Sequence, residues 1–169
     1  GDAEVFGAVV AAGYATSPYR SDGISKLVYG LQPQLRVIGV FGQKCIPQPY
    51  LSASVDQRLA LLQGLMDTDG HVNTRGTATF VNTNETLVDG FVDLCNSLGL
   101  KPRRRRHVST YKGEPYIYWQ VSFQAYQELP PFRLTRKLAR CRPGKRPHPR
   151  RYIVACRPTP SVPMRCIQV

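Results

Sequence analysis

Acidic side chains are scarce in this sequence. Eleven Asp+Glu stand against 23 Lys+Arg, giving a formal charge of +12 and a pI near 9.9. Long apolar runs are lacking too. The longest fall far short of the ~20 residues that a membrane-spanning helix needs, so no membrane partner is expected. No basic leader followed by an apolar core precedes the first element, which argues against a signal peptide. The first residue is Gly1, and the expectation is a piece of a longer polypeptide. No Gly or Ser tract marks a flexible linker. The five cysteines include no CxxC pair, and His71, His107 and His148 do not sit at finger-like spacing, which argues against structural zinc. Their odd number, with no secretion signal, fits reduced thiols in a cytoplasmic setting. The hydrophobic share of 42% is close to the globular average and excludes wholesale disorder. The length suits one domain, or one domain plus a fragment of another.

What is abundant is clustered positive charge. Arg103, Arg104, Arg105 and Arg106 are consecutive, and a second basic group runs from Arg133 to Arg151. Four arginines in a strand-like segment repel one another unless an anion lies near. The charge points to a polyanion, nucleic acid before an anionic membrane.

Periodicity and punctuation predict a helix over 2–12, short strands over 14–19 and 25–29, and a helix over 31–40 with Pro33 in its first turn. A Pro-containing loop covers 42–50. Ser54 and Gln57 form a capping-box pattern ahead of a helix over 55–66. Strands are expected over 71–74 and 77–82, a helix capped by Asn84 over 85–98, a hairpin over 101–125 and a helix over 132–140. Two further strands are expected over 151–155 and 164–169. The order helix, hairpin, helix, hairpin, helix from 55 to 140 is echoed in its last three elements by residues 2–40, which suggests an imperfect internal repeat.

The stretch Leu62-Gln63-Gly64-Leu65-Met66-Asp67-Thr68-Asp69-Gly70 is physically odd. An interior helix glycine costs ~1 kcal/mol against alanine. Carboxylates at a helix C-terminus face the negative end of the macrodipole. Close approach of a second helix at Gly64, and a cation shared at the helix end, would account for both. The bland alternative is a core helix ending in an Asp-Gly turn.

This stretch resembles the motif of the LAGLIDADG homing endonucleases, with Leu62, Gly64, Leu65, Asp67, Asp69 and Gly70 at the specified positions. Six positions at usage of ~1/15 each give a chance match of order 10⁻⁵ in a chain this long. The block Gly42-Gln43-Lys44-Cys45-Ile46-Pro47 resembles the "GxKxIP" block of the intein-encoded branch, with Cys45 where a His is expected. Phe91 to Leu100 resembles the block that follows the motif. Phe132 to Lys137 resembles "FRLPRK", with Thr135 in place of Pro. Residues 151–169 resemble the return into a protein-splicing domain.

The resemblance implies an α+β fold of two αββαββα halves, the first truncated, followed by strands of a Hint-type splicing domain. It divides the chain into 1–53 (remainder of the first half), 54–145 (second half) and 146–169 (incomplete splicing segment). It implies Mg²⁺-dependent hydrolysis of double-stranded DNA, with Asp69 and the Gly70 carbonyl as metal ligands and Asp67 bracing the helix end. Lys44 is implied as an accessory cation, a loop lysine in solvent being the plain alternative. Lys137 takes the corresponding place in the second half, and Lys145 could serve equally. Leu62, Gly64 and Leu65 belong to the motif-helix interface with an upstream first motif or a second copy. Arg103, Arg104, Arg105, Arg106, Gln120 and Ser122 are the candidate DNA contacts. Strand alternation would aim about half of the arginines at DNA. Tyr116, Tyr118 and Trp119 are assigned to sheet packing. Two other readings are a non-catalytic DNA-binding remnant and a structural remnant that supports splicing.

Overall fold

In the computed structural model, which describes residues 3–145, 153, 155–161 and 163, the first elements are α1 (Ala3–Ala11) and α2 (Leu31–Val37). Pro33 lies in the first turn of α2, where its missing N–H is not needed. Between the two helices the chain is pinned by the Thr16–Val28 bridge and by an Asx turn at Asp22. Hydrogen bonds from the Ser25 hydroxyl and from the Ser25 and Ile24 amides hold the Asp22 carboxyl down at about 2. A one-turn helix, α3 (Gln48–Leu51), interrupts the loop expected over 42–50.

Helix α4 (Val55–Thr68) opens on a complete capping box. Ser54 Oγ accepts from the Gln57 amide at 3.3 Å, and Gln57 Oε1 accepts from the Ser54 amide at 3.2 Å. Strands β1 (Gly70–Val72) and β2 (Thr77–Asn82) follow, then α5 (Glu85–Ser97), capped by Asn84 Oδ1 on the Leu87 amide. Strands β3 (Arg103–Tyr111) and β4 (Glu114–Gln124) form a hairpin. Its turn residues Lys112 and Gly113 both take positive φ, 51° and 85°, which suits the right-handed twist of the flanking strands. Helix α6 (Thr135–Leu138) closes the series. The sheet is antiparallel throughout, in the order β1-β2-β4-β3.

One face of this sheet meets α4 and α5. Phe80 stacks on Phe91 at 4.2 Å between ring centroids, and Phe91 meets Phe123 at 6.4 Å. Leu62, Met66, Val88, Leu94 and Val121, all fully buried, complete the interior. The architecture is α+β, with the helices on one face of a four-stranded antiparallel sheet.

Several expectations need adjustment. Helix α4 runs two residues past the expected end, because the Asp69 amide still reaches the Leu65 carbonyl. The helix expected over 132–140 shrinks to α6, because the backbone at Leu134 is extended (ψ 121°) and helical geometry starts only at Thr135. The strand pair expected over 14–29 is present as an irregular pairing, the Thr16–Val28 bridge being accompanied by backbone bonds from Ser17 to Leu27, Arg20 to Ser25 and Tyr29 to Ala15. Of the strand expected over 151–155, Ile153 and Ala155 are described and lie in no strand; the one over 164–169 falls outside the described residues. Among the described residues no helix is long and apolar enough to cross a membrane.

Candidate nucleic-acid and metal site

Strand alternation divides the sheet chemically. Val72, Ala78, Phe80, Val121 and Phe123 point to the helices and are buried. The other parity is polar. Across the strands, His71 stands beside Thr79, Thr79 beside Ser122, and Ser122 beside Arg103. The next row runs Val81, Gln120, Arg105, and then Tyr118 pairs with His107. Arg103, Arg105, Gln120 and Ser122 therefore share one face. Arg104 and Arg106 share parity with the buried residues. Arg104 forms ion pairs with Glu85 and Asp89 of α5, the latter at 2.8 Å. Part of the repulsion within the arginine run is thus relieved inside the molecule.

Asp69 leaves the C-terminal end of α4 one residue before β1 and is exposed. It opens onto a cleft of about 720 Å³ at the border of the polar sheet face, lined also by Lys44, Val81, Asn82, Thr83, Tyr116, Tyr118 and Gln120. Lys44 reaches this cleft because its loop is pinned two residues later. Ile46 sits so close to α5 that a Cβ on Gly90 would lie 3.2 Å from its own Cβ. The block around Lys44 is thereby tied to the helix that backs the sheet.

The other motif residues have distinct surroundings. Leu62 is wholly buried and Leu65 half-buried. Gly64 is exposed, and a Cβ there would meet nothing within 4 Å, so this face of α4 is open. Gly70 is demanded by packing: a Cβ would fall 2.6 Å from the Met66 carbonyl oxygen. The Asp67 carboxylate accepts from the amides of Arg133 (3.1 and 3.2 Å) and Leu134 (3.3 Å). Lys137 Nζ donates to the carbonyls of Met66 (2.8 Å), Asp67 (2.7 Å) and Gly70 (2.6 Å). Positive charge at a helix C-terminus is favourable, because it meets the unpaired carbonyls.

Residues 56–139 match the protein family described as a LAGLIDADG-like domain. Over that span this chain is a LAGLIDADG-like domain. The chain is also 36% identical over 151 residues to a replicative DNA helicase DnaB from Mycobacterium intracellulare, an alignment covering 86% of this chain and 26% of that protein. It therefore spans about a quarter of the length of the curated relative it matches.

In this LAGLIDADG-like domain several participants escaped the sequence reading. Tyr116 and Tyr118 line the cleft instead of packing in the sheet interior. Their even numbering, shared with Gln120 and Ser122, was the available signal. Gln63, buried on α4, accepts from Arg133 Nε at 2.7 Å and donates to the Pro130 carbonyl at 2.9 Å. No local pattern announces that pairing. A hard divalent cation takes oxygen donors. The LAGLIDADG-like domain presents one exposed carboxylate in the cleft, Asp69, and beside it the Gly70 carbonyl, already bound by Lys137. Among the described residues no three His, Cys, Asp or Glu side chains gather at one point. The donors fit one share of an oxygen-ligated site.

Proposed function

We propose that this chain carries the second half of an intein-encoded, site-specific homing endonuclease that hydrolyses phosphodiesters in both strands of double-stranded DNA. The observation that carries this reading is the cleft that Asp69 and Lys44, apart in sequence, both line at the border of a polar, arginine-bearing sheet face. On this reading residues 1–53 complete a first half, 54–145 form the second, and 146–169 begin a splicing segment. The similarity to a DnaB helicase supports a replicative helicase as the host polypeptide, which would place the protein in the cytoplasm.

Each residue then has a task. Asp69 is the carboxylate that would hold Mg²⁺, and the Gly70 carbonyl, with one lone pair engaged by Lys137, would offer its other lone pair as a second oxygen donor. When bound, the ion would supply charge neutralisation on the phosphate and activation of a water. The Lys44 ammonium steadies the negative charge that builds on the phosphate oxygens. Arg103 and Arg105 contact phosphates or guanine edges, and Gln120 and Ser122 share their rows across the sheet. Arg104, committed to Glu85 and Asp89, serves the fold. The open face at Gly64 receives a second motif helix, from an upstream first motif or from another copy, and that helix brings the remaining carboxylate.

The test uses the full polypeptide with Mg²⁺ and a plasmid carrying the uninterrupted helicase gene, beside an Asp69→Asn variant. Double-strand cleavage by the parent, lost in the variant, is expected. DNA binding without cleavage by either protein would leave a non-catalytic DNA-binding remnant. Absence of binding at low salt would overturn the nucleic-acid reading, because phosphate contacts strengthen as salt falls.

A further inference from the structure

The lysine of the 132–137 segment has an unusual set of partners. Lys137 Nζ makes three hydrogen bonds of 2.6–2.8 Å to the carbonyls of Met66, Asp67 and Gly70. These carbonyls bracket the turn on which Asp69 sits. The Met66 and Asp67 oxygens belong to the last turn of α4, and the Gly70 oxygen to the first residue of β1. One ammonium thus bridges the end of the helix to the start of the strand.

The surrounding contacts immobilise the bridge. The Asp67 carboxylate binds the amides of Arg133 and Leu134, so the same segment is tied to α4 a second time. Arg133 Nε reaches Gln63 Oε1, one turn further back on α4, and Gln63 in turn donates to the Pro130 carbonyl. The anchors Phe132 and Leu134 are buried. At the far end of the segment, the Thr135 amide and hydroxyl both donate to Glu4 of α1, at 2.8 and 2.9 Å. Residues 130–137 therefore form a strap across the end of α4. The motif carboxylate departs from the one turn that Lys137 closes.

We propose that Lys137 is a positioning residue for Asp69: it fixes the helix-to-strand turn through three carbonyls and acts on cleavage through the carboxylate, not on the phosphate. The inference rests on the functional reading above. It separates the two lysines, Lys44 facing the cleft and Lys137 holding the turn. A charge on a helix end and on Gly70 sets where the carboxylate stands, and a small displacement there is costly to a pre-organised site.

The experiment compares Lys137→Met, Lys137→Arg and Lys44→Met in the full polypeptide, with three readouts. The first is amide hydrogen exchange over 66–72. Lys137→Met should raise it at least tenfold there, Lys137→Arg should recover much of the protection, and Lys44→Met should leave it unchanged. The second is the salt dependence of binding to duplex DNA. A lysine on a phosphate contributes about 0.9 to the slope of log K against log salt. Lys44→Met should lower the slope by about that amount, and Lys137→Met should not. The third is the Mg²⁺ concentration for half-maximal cleavage, which Lys137→Met should raise several-fold and Lys137→Arg should partly restore. A slope lowered by Lys137→Met as by Lys44→Met, with exchange over 66–72 unchanged, would overturn the proposal and make Lys137 a phosphate contact. If none of the proteins bound DNA, the functional reading would fall by itself, and unchanged exchange over 66–72 would still overturn the clamp. If Lys137→Met failed to fold, Lys137→Gln, which removes the charge and shortens the side chain, would decide by the same readouts: its DNA-binding slope should equal the parent's, and exchange over 66–72 no faster than the parent's would overturn the clamp.

Discussion

Residues 3–53 and residues 54–145 are built from similar local signals and reach different ends. Both have helices with recognisable starts, stops and apolar faces. Yet no residue between Ala3 and Ala53 is buried, while the core residues all lie between Leu62 and Cys141. In the first region Val37 is 87% exposed and Ile24 66%. Its order comes partly from small polar and aromatic sets, namely Lys26 over the rings of Phe6 and Tyr19, the Asx turn at Asp22 and the bonds from Thr135 to Glu4, and partly from Ile46 and Leu51, which pack half-buried against the core of the second region. The second region adds a sheet, and with it a broad apolar face for two helices to cover. A helix alone buries little, and burial needs a second layer.

The largest expected effect sets the two regions against each other. Phe91→Ala removes a ring stacked on Phe80 and should destabilise the chain by about 3–5 kcal/mol in a denaturant titration. Val37→Ala in the first region should stay within about 0.5 kcal/mol. Equal losses would mean that Val37 is packed as Phe91 is, and the contrast between the two regions would fall.

Next come two glycines of the motif. Gly70→Ala drives a methyl into the Met66 backbone and should lose about 1–3 kcal/mol. Gly64→Ala meets open space on a helix, and should raise the stability of this chain by up to about 1 kcal/mol through helix propensity. A thermal melt showing Gly64→Ala to be destabilising would reveal that this face of α4 is covered, and would weaken the contrast between a packed and an open surface.

A smaller effect is expected at the border between the regions. Ser54→Ala breaks the capping box of α4 and should lower stability by about 1 kcal/mol, read from the urea midpoint. The smallest concerns thiols. Burial pushes the Cys95 thiol up, and the Cys141 thiol with it, so both stay protonated and shielded as pH rises toward 8, whereas Cys45 is only half-buried. Mass spectrometry after brief alkylation at pH 8 should find Cys45 modified before Cys95 and Cys141. The reverse order would show that the second region opens more readily than the first.

Much of the second region was legible because its signals are local. The capping box at Ser54, the Asn84 cap and the Lys112-Gly113 turn act between residues a few positions apart. The motif reading identified Asp69 and Lys44 as candidates, but not the loop-to-helix contact of Ile46 on Gly90 that carries Lys44 to the cleft. The shared face of Arg103, Arg105, Gln120 and Ser122 required a register, and registers form between strands. Arg104 could not be separated from its neighbours until α5 supplied Glu85 and Asp89.

The sequence by itself determined the elements of the second region, the positive charge and the motif, because propensity, capping and composition depend on near neighbours. Only the tertiary structure decided which lysine faces the cleft and which closes the helix end. Lys44 and Lys137 are chemically alike along the chain, and what distinguishes them is where long-range contacts put each side chain: Lys44 lines the cleft that Asp69 also lines, and Lys137 bonds two carbonyls in the last turn of α4 and the Gly70 carbonyl that opens β1.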